Sequence, residues 1–148
     1  MLVSTAELPG LRGLVAMVDG GFDPLHAGHV AYFREAAELG APVLCNVSPD
    51  RWVAAKHPPL LRAEQRAELI DAIRYVSYTH ISDEATVAIL GRLGPRYYVK
   101  GADWRGRLPE AEVQACATAG TEVVFLDTVL DSSTRIVREY KRRLSAWK

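Results

Sequence analysis

Two histidines, His26 and His29, stand three residues apart in "GGFDPLHAGH" (residues 20–29), directly after an apolar run and beside the start of a helical pattern. Imidazoles near a helix N-terminus can donate hydrogen bonds to a phosphate oxygen on which charge builds in a transition state. Gly20 and Gly21 let the main chain approach such a ligand closely, while Phe22, Asp23 and Gly28 complete the loop. Zinc ligation is a rival chemistry, but it needs further donors and this stretch offers only Asp23. A structural rival also stands: the histidines merely open a helix. The loop is not a Walker A motif, since no Gly-Lys-Ser/Thr follows, nor a dinucleotide fingerprint, since the third glycine is missing.

Three further groups have chemistry available to them. Lys56, in a loop with His57, Pro58 and Pro59, suits a mobile cation that closes over a triphosphate, or a solvated lysine. Asp131, Ser132, Ser133, Thr134 and Arg135 precede an apolar helical stripe; they supply an N-cap and also the hydroxyls, N–H groups and guanidinium that hold phosphate. Asp103 and Trp104 suit base recognition by hydrogen bonding and stacking, or a polar turn with a half-buried indole.

The elements that must position these residues alternate along the chain. Residues 14–18, 42–48, 75–81, 97–100 and 121–126 read as five short strands, mostly too uniformly apolar to have a solvated face. Helical patterns cover 29–39, 63–75, 85–93 and 110–119, and from Ser132 onward Ile136, Tyr140, Leu144 and Trp147 form a stripe that packs on the sheet or on a partner. This alternation predicts an α/β doubly wound sheet of about five mainly parallel strands with helices on both faces. Its ligands bind at the carboxyl ends of strands, where strand order reverses. The decapeptide follows the first strand, where that crevice should lie.

Bulk properties narrow the function classes. A chain of 148 residues, 49 % hydrophobic and 24 % charged, is expected to form a single domain: an arm over 1–13, a core over 14–140 and the end of a C-terminal helix over 141–148. Lys plus Arg and Asp plus Glu balance at 18 each, which argues against a nucleic-acid partner and makes any anion site local. Cys45 and Cys116 lie in apolar stretches and read as reduced core thiols. With no signal-like leader and no membrane-length apolar run, the expectation is a cytoplasmic protein without a membrane partner.

"GGFDPLHAGH" resembles the G-x-F-D-x-x-H-x-G-H signature of the nucleotidyltransferase superfamily, within its cytidylyltransferase-like group. That group includes glycerol-3-phosphate cytidylyltransferase and the adenylyltransferase of ADP-heptose synthesis. The similarity extends to "KHPPLLRAEQR" (56–66), to "VKGADW" (99–104), which resembles the "KGGDY" and "GDDW" of these enzymes, and to "DSSTRIV" (131–137), the end of the second signature. It implies a Rossmann-like fold and transfer of NMP from a nucleoside triphosphate to a small phosphorylated polyol, sugar or phosphonate, with pyrophosphate released.

In that reading His26 and His29 stabilise the α-phosphate, Lys56 holds the α- or β-phosphate, and Arg135 holds the leaving pyrophosphate. Gly20, Gly21, Phe22, Asp23, Gly28, Lys100, Gly101, Asp103, Trp104, Ser132, Ser133 and Thr134 bind nucleotide. Arg66 fixes the site through ion pairs, and Mg²⁺ rides on the phosphates without protein ligands. Family habit and the apolar stripes imply a homodimer, and the want of a kinase half implies that another protein phosphorylates the acceptor.

The sequence departs from the group at Gly21, where relatives carry Thr or Cys, and at Asp127 and Leu130, which replace an arginine and a glycine. Asp103-Trp104 leans the donor toward CTP and "LPEAE" (108–112) leans it toward the heptose enzymes and ATP; the expectation is a cytidylyltransferase, with CTP favoured over ATP. The rival from another class is a non-catalytic nucleotide-binding module of the same fold.

Overall fold

A computed structural model describes residues 1–127 and 132–147. Five strands, β1 (Ala16–Gly20), β2 (Val43–Val47), β3 (Tyr78–Ile81), β4 (Tyr97–Gly101) and β5 (Glu122–Leu126), form one all-parallel sheet in the order β3-β2-β1-β4-β5. The six α-helices are α1 (Ala27–Ala37), α2 (Asp50–Val53), α3 (Ala63–Asp71), α4 (Thr86–Leu93), α5 (Glu110–Ala119) and α6 (Ser133–Ala146). Strand order reverses between β1 and β4, so the crevice of a doubly wound sheet opens at their carboxyl ends.

Period-two alternation divides the strands between two cores. Ala16, Val18, Val43, Cys45, Val47 and Val99 face Phe33 and Ala36 of α1 and Ala67 and Ile70 of α3. Met17, Leu44 and Tyr98 face Ile89, Leu90 and Leu93 of α4 and Cys116 of α5. Burial on both faces is why the strands read as continuous apolar runs. Both cysteines are buried free thiols, and burial pushes Cys116 up to about 11.

The elements differ from the sequence expectation mainly at their ends. β1 runs two residues further than expected, so Gly20 belongs to the strand; β3 begins at Tyr78 instead of residue 75, and α3 stops at Asp71. The four-residue α2 was not anticipated, since it is too short to show periodicity. Residues 1–13 are packed onto the body: Thr5–Leu11 forms a 3₁₀ helix, Leu8 is fully buried, and Leu2 bridges Thr79 beside β3. Tyr140 and Leu144 on α6 and Trp147 just after it are exposed, so this part of the stripe is not covered by the sheet. Among the described residues, no helix is long and apolar enough to cross a membrane.

Candidate active site

The decapeptide turns sharply between β1 and α1. A Cβ on Gly20 would sit 3.2 Å from the Phe22 ring, and one on Gly21 would sit 3.1 Å from Val53 Cγ2, so both positions leave little room for a side chain. Phe22 has φ +52°, a left-handed backbone that non-glycine residues adopt at a cost. Its ring is held in place between His29, at 4.8 Å and edge-on, and Phe33, at 5.3 Å. The absence of a side chain at Gly21, a departure from the group's pattern, thus follows from the close approach of Val53.

His26 is the N-cap of α1 and stacks on His29, with ring centroids 3.7 Å apart. The His26 backbone N–H donates to His29 Nδ1 at 3.3 Å, which makes that nitrogen an acceptor and puts the ring proton on Nε2. Burial, and secondarily the His26 charge, push His29 down to about 3, so its ring is a neutral donor at physiological pH. One pair of residues therefore both opens α1 and lines the cavity.

Two buried side chains brace the surrounding loops through main-chain atoms. Asp23, only 2 % exposed, accepts N–H bonds from Leu60 at 2.7 Å and Leu61 at 3.1 Å, tying down the loop that follows Lys56. Arg66, 1 % exposed, donates to the carbonyls of Gly21, Ser48 and Leu61 and pairs with Asp50 at 2.6 Å. Its position is that of a residue that fixes the site rather than one that lines it. At the far end of the chain, Ser132 caps α6 by accepting the Arg135 N–H, and Ser133 Oγ donates to the carbonyl of Pro24 at 2.9 Å.

These pieces enclose a cavity of about 530 Å³ at the carboxyl ends of the central strands. Of the residues expected from sequence, Gly20, Gly21, Phe22, Asp23, His26, His29, Lys56, Lys100, Trp104, Ser132, Ser133 and Thr134 line it. Gly28, Gly101, Asp103 and Arg135 are not part of the lining. Gly28 is buried in the first turn of α1, Asp103 and Arg135 are exposed, and a Cβ on Gly101 would meet Asp103 Oδ1 at 2.7 Å. Leu130 and Asp131 fall outside the described residues.

The cavity also has lining residues that the motifs did not reveal, including Asp19, Ser48, Trp52, Thr86 and Glu112. Asp19 pairs with Lys100 at 2.8 Å, and the Tyr98 hydroxyl reaches Asp19 at 3.1 Å and Glu112 at 2.7 Å. Burial first, then these carboxylates, push Tyr98 far above its ordinary range and keep the phenol protonated. Lys100 Nζ lies 4.3 Å from the centroid of the Trp104 ring. Each lining carboxylate thus has a protein partner, and among the described residues no three His, Cys, Asp or Glu side chains gather as metal ligands.

Residues 17–142 match the cytidylyltransferase-like family. The chain belongs to that family. FAD synthase from Pyrococcus abyssi (strain GE5 / Orsay) is 35 % identical over 100 residues, covering 65 % of this chain and 68 % of that protein. Bifunctional protein HldE from Chromohalobacter salexigens is 33 % identical over 147 residues, covering 87 % of this chain and 30 % of that protein. The fold is shared with the lipopolysaccharide core biosynthesis protein from Thermoplasma volcanium GSS1, with a TM-score of 0.67 at 23 % identity over 78 % of this chain and 98 % of that one. Membership of the cytidylyltransferase-like family and likeness to these proteins support nucleotidyl transfer as the reaction class.

Within the cytidylyltransferase-like frame, Asp19 was legible as the residue before the signature, but nothing in its surroundings marked it as facing the cavity. Glu112, on α5, closes the "LPEAE" stretch, which read only as a lean toward the heptose enzymes and gave no sign of facing the cavity. Only the adjacency of β1 and β4 brings the two carboxylates to one phenol.

Proposed function

We propose that this protein transfers NMP from a nucleoside triphosphate to the phosphate of a small metabolite. The acceptor's phosphate oxygen forms a bond to the α-phosphorus, and the bond from that phosphorus to the bridging oxygen breaks. Pyrophosphate leaves with the electron pair. The observation that carries this reading is the convergence of His26 and His29, Lys56, and Ser132 to Thr134 in one cavity at the strand-order reversal.

Both reactants are anions, so the site has to neutralise charge and align the reacting atoms. His29, neutral and protonated on Nε2, donates to the α-phosphate without competing as a base, and His26 stacked on it shares that task. Lys56 draws in the triphosphate from an exposed position, while the start of α6 offers N–H groups and hydroxyls to the β- and γ-phosphates. Arg135, on the first turn of α6 outside the cavity lining, would act on pyrophosphate only after its side chain swings inward. Mg²⁺ would be held chiefly by the phosphates and would supply further charge neutralisation. No general base is needed, because a phosphate monoester is already ionised near neutral pH.

ATP is the donor we favour. FAD is an adenylylated phosphate monoester, and FAD synthases are among the relatives. CTP is the alternative; of the two residues that lean toward it, Trp104 lines the cavity and Asp103 does not. The test is pyrophosphate release from ATP and CTP across a panel of phosphorylated polyols, sugars and phosphonates. His29→Ala should lower turnover by at least about 10²-fold. Near-native turnover in that variant would sink the mechanism, and nucleotide binding without release on any acceptor would instead identify a binding module.

A further inference from the structure

The two central strands do not stay paired to their ends. β1 and β4 pair at Ala16 with Tyr97 and at Met17 with Tyr98, and there the register stops, although β1 continues to Gly20 and β4 to Gly101. Each keeps its other neighbour to the end: β1 pairs β2 as far as Gly20 with Val47, and β4 pairs β5 as far as Gly101 with Leu126. The sheet therefore forks at its centre, and the cavity is lined from both prongs by Asp19, Gly20 and Lys100.

A fork removes rungs from the ladder, and a buried carbonyl that loses its rung needs another donor. Alternation shows which groups are affected. The Tyr97 N–H donates to the Val15 carbonyl while the Arg96 carbonyl accepts from Glu122, so Tyr97 and Val99 turn their main chain toward β1. In β1, the Ala16 N–H donates to Pro42 and the Gly20 carbonyl accepts from Ser48, both on the β2 side, so the main chain of Asp19 is turned toward β4. A continued parallel ladder would next join the Asp19 N–H to the Val99 carbonyl. Instead, the hydroxyl of Tyr32 on α1 donates to that carbonyl. Burial first, and then Asp19, Cys45 and Asp103, push Tyr32 far above its ordinary range, so the phenol keeps the proton that it donates.

We infer that the Tyr32 hydroxyl holds the fork open by taking the place of a sheet rung, and that Tyr32 is thereby a positioning residue for His29. The two residues are three apart on α1 and share a face of that helix. His29 lines the cavity, while Tyr32 does not and reaches β4 one residue before Lys100. On the other face of the sheet the Asp19–Lys100 ion pair, at 2.8 Å, joins the same two strands. The ion pair limits how far the prongs splay, and the phenol keeps them from closing. On the nucleotidyl transfer proposed above, this spacing sets where the histidines meet the α-phosphate.

Tyr32→Phe removes the hydroxyl and keeps the ring. Amide exchange followed by NMR should show the Asp19 N–H at least about 10-fold better protected in the variant, because it closes on the Val99 carbonyl. Pyrophosphate release should show kcat lowered about 10-fold or more with the KM for the triphosphate within about 2-fold, since misplacing a reacting group costs rate while Lys56 and the start of α6 still hold the phosphates. Unchanged protection of Asp19 or a native kcat would overturn the inference. Both are what a tyrosine with only a packing role would give, its loss appearing in the melting temperature alone. Absence of release by the wild type with every acceptor would overturn the proposed function, and the Asp19 exchange rate would then decide by itself whether the hydroxyl holds the fork.

Discussion

His29 shows how a single side chain can be committed to one protonation state by its surroundings. Its pKa is about 3 in the fold and ordinarily 6.5, because burial and His26 both disfavour the imidazolium. Between these values the unfolded chain takes up a proton that the native protein does not. The contribution to stability is complete above pH 6.5 and is lost as pH falls toward 3, at up to about 1.4 kcal/mol per pH unit. Replacing His29 with Asn removes that titration, so the urea midpoint of the variant should decline less steeply than that of the wild type between pH 6.5 and 4. Parallel declines would show that the native ring takes up its proton normally. The position of this pair was legible in the sequence because the whole signature is local; its tautomer was not, since that depends on the main chain of His26.

At the level of elements, the site depends on loops held by buried polar groups. Arg66→Met should cost about 2–4 kcal/mol, because it strands three part-buried carbonyls and removes the partner of the half-exposed Asp50 carboxylate. Thermal melts would show the loss, and Lys at this position should not restore it, since one ammonium cannot span the same set of acceptors. Gly21→Thr should lose about 1–3 kcal/mol against Val53, and Val53→Ala in the same chain should recover part of it in a double-mutant cycle. Additive losses would mean that the loop is free to move away.

The order of strands and helices was readable from alternating patterns. The short α2 and the ends of β1, β3 and α3 were not, because a single turn has no period and strand ends are set by pairing with neighbours. Arg66 was expected to anchor the site, and it does so mostly through carbonyls, which no sequence pattern can register.

The whole molecule is a sheet whose two cores are reached by different parts of the chain, and its first residues belong to one of them. Leu8 is fully buried in the core that also contains Met17 and Leu90. Leu8→Ala should therefore destabilise the protein by about 2–5 kcal/mol, as measured by denaturant unfolding, although residue 8 precedes every motif. A cost below about 0.5 kcal/mol would show that the arm is only loosely held to the body. Long-range assembly also explains why the acidic lining was missed. Asp19 and Glu112 are 93 positions apart, and they meet only because the sheet places β4 beside β1.

The bracing by Asp23 and Arg66 bears on how such a protein can diversify. Asp23 grips two backbone N–H groups, and three of the four partners of Arg66 are backbone carbonyls. Main-chain partners are present whatever side chains the loops carry. Drift can therefore rewrite the segment between them, and with it the chemistry offered to a new metabolite, as long as one carboxylate and one guanidinium are inherited together.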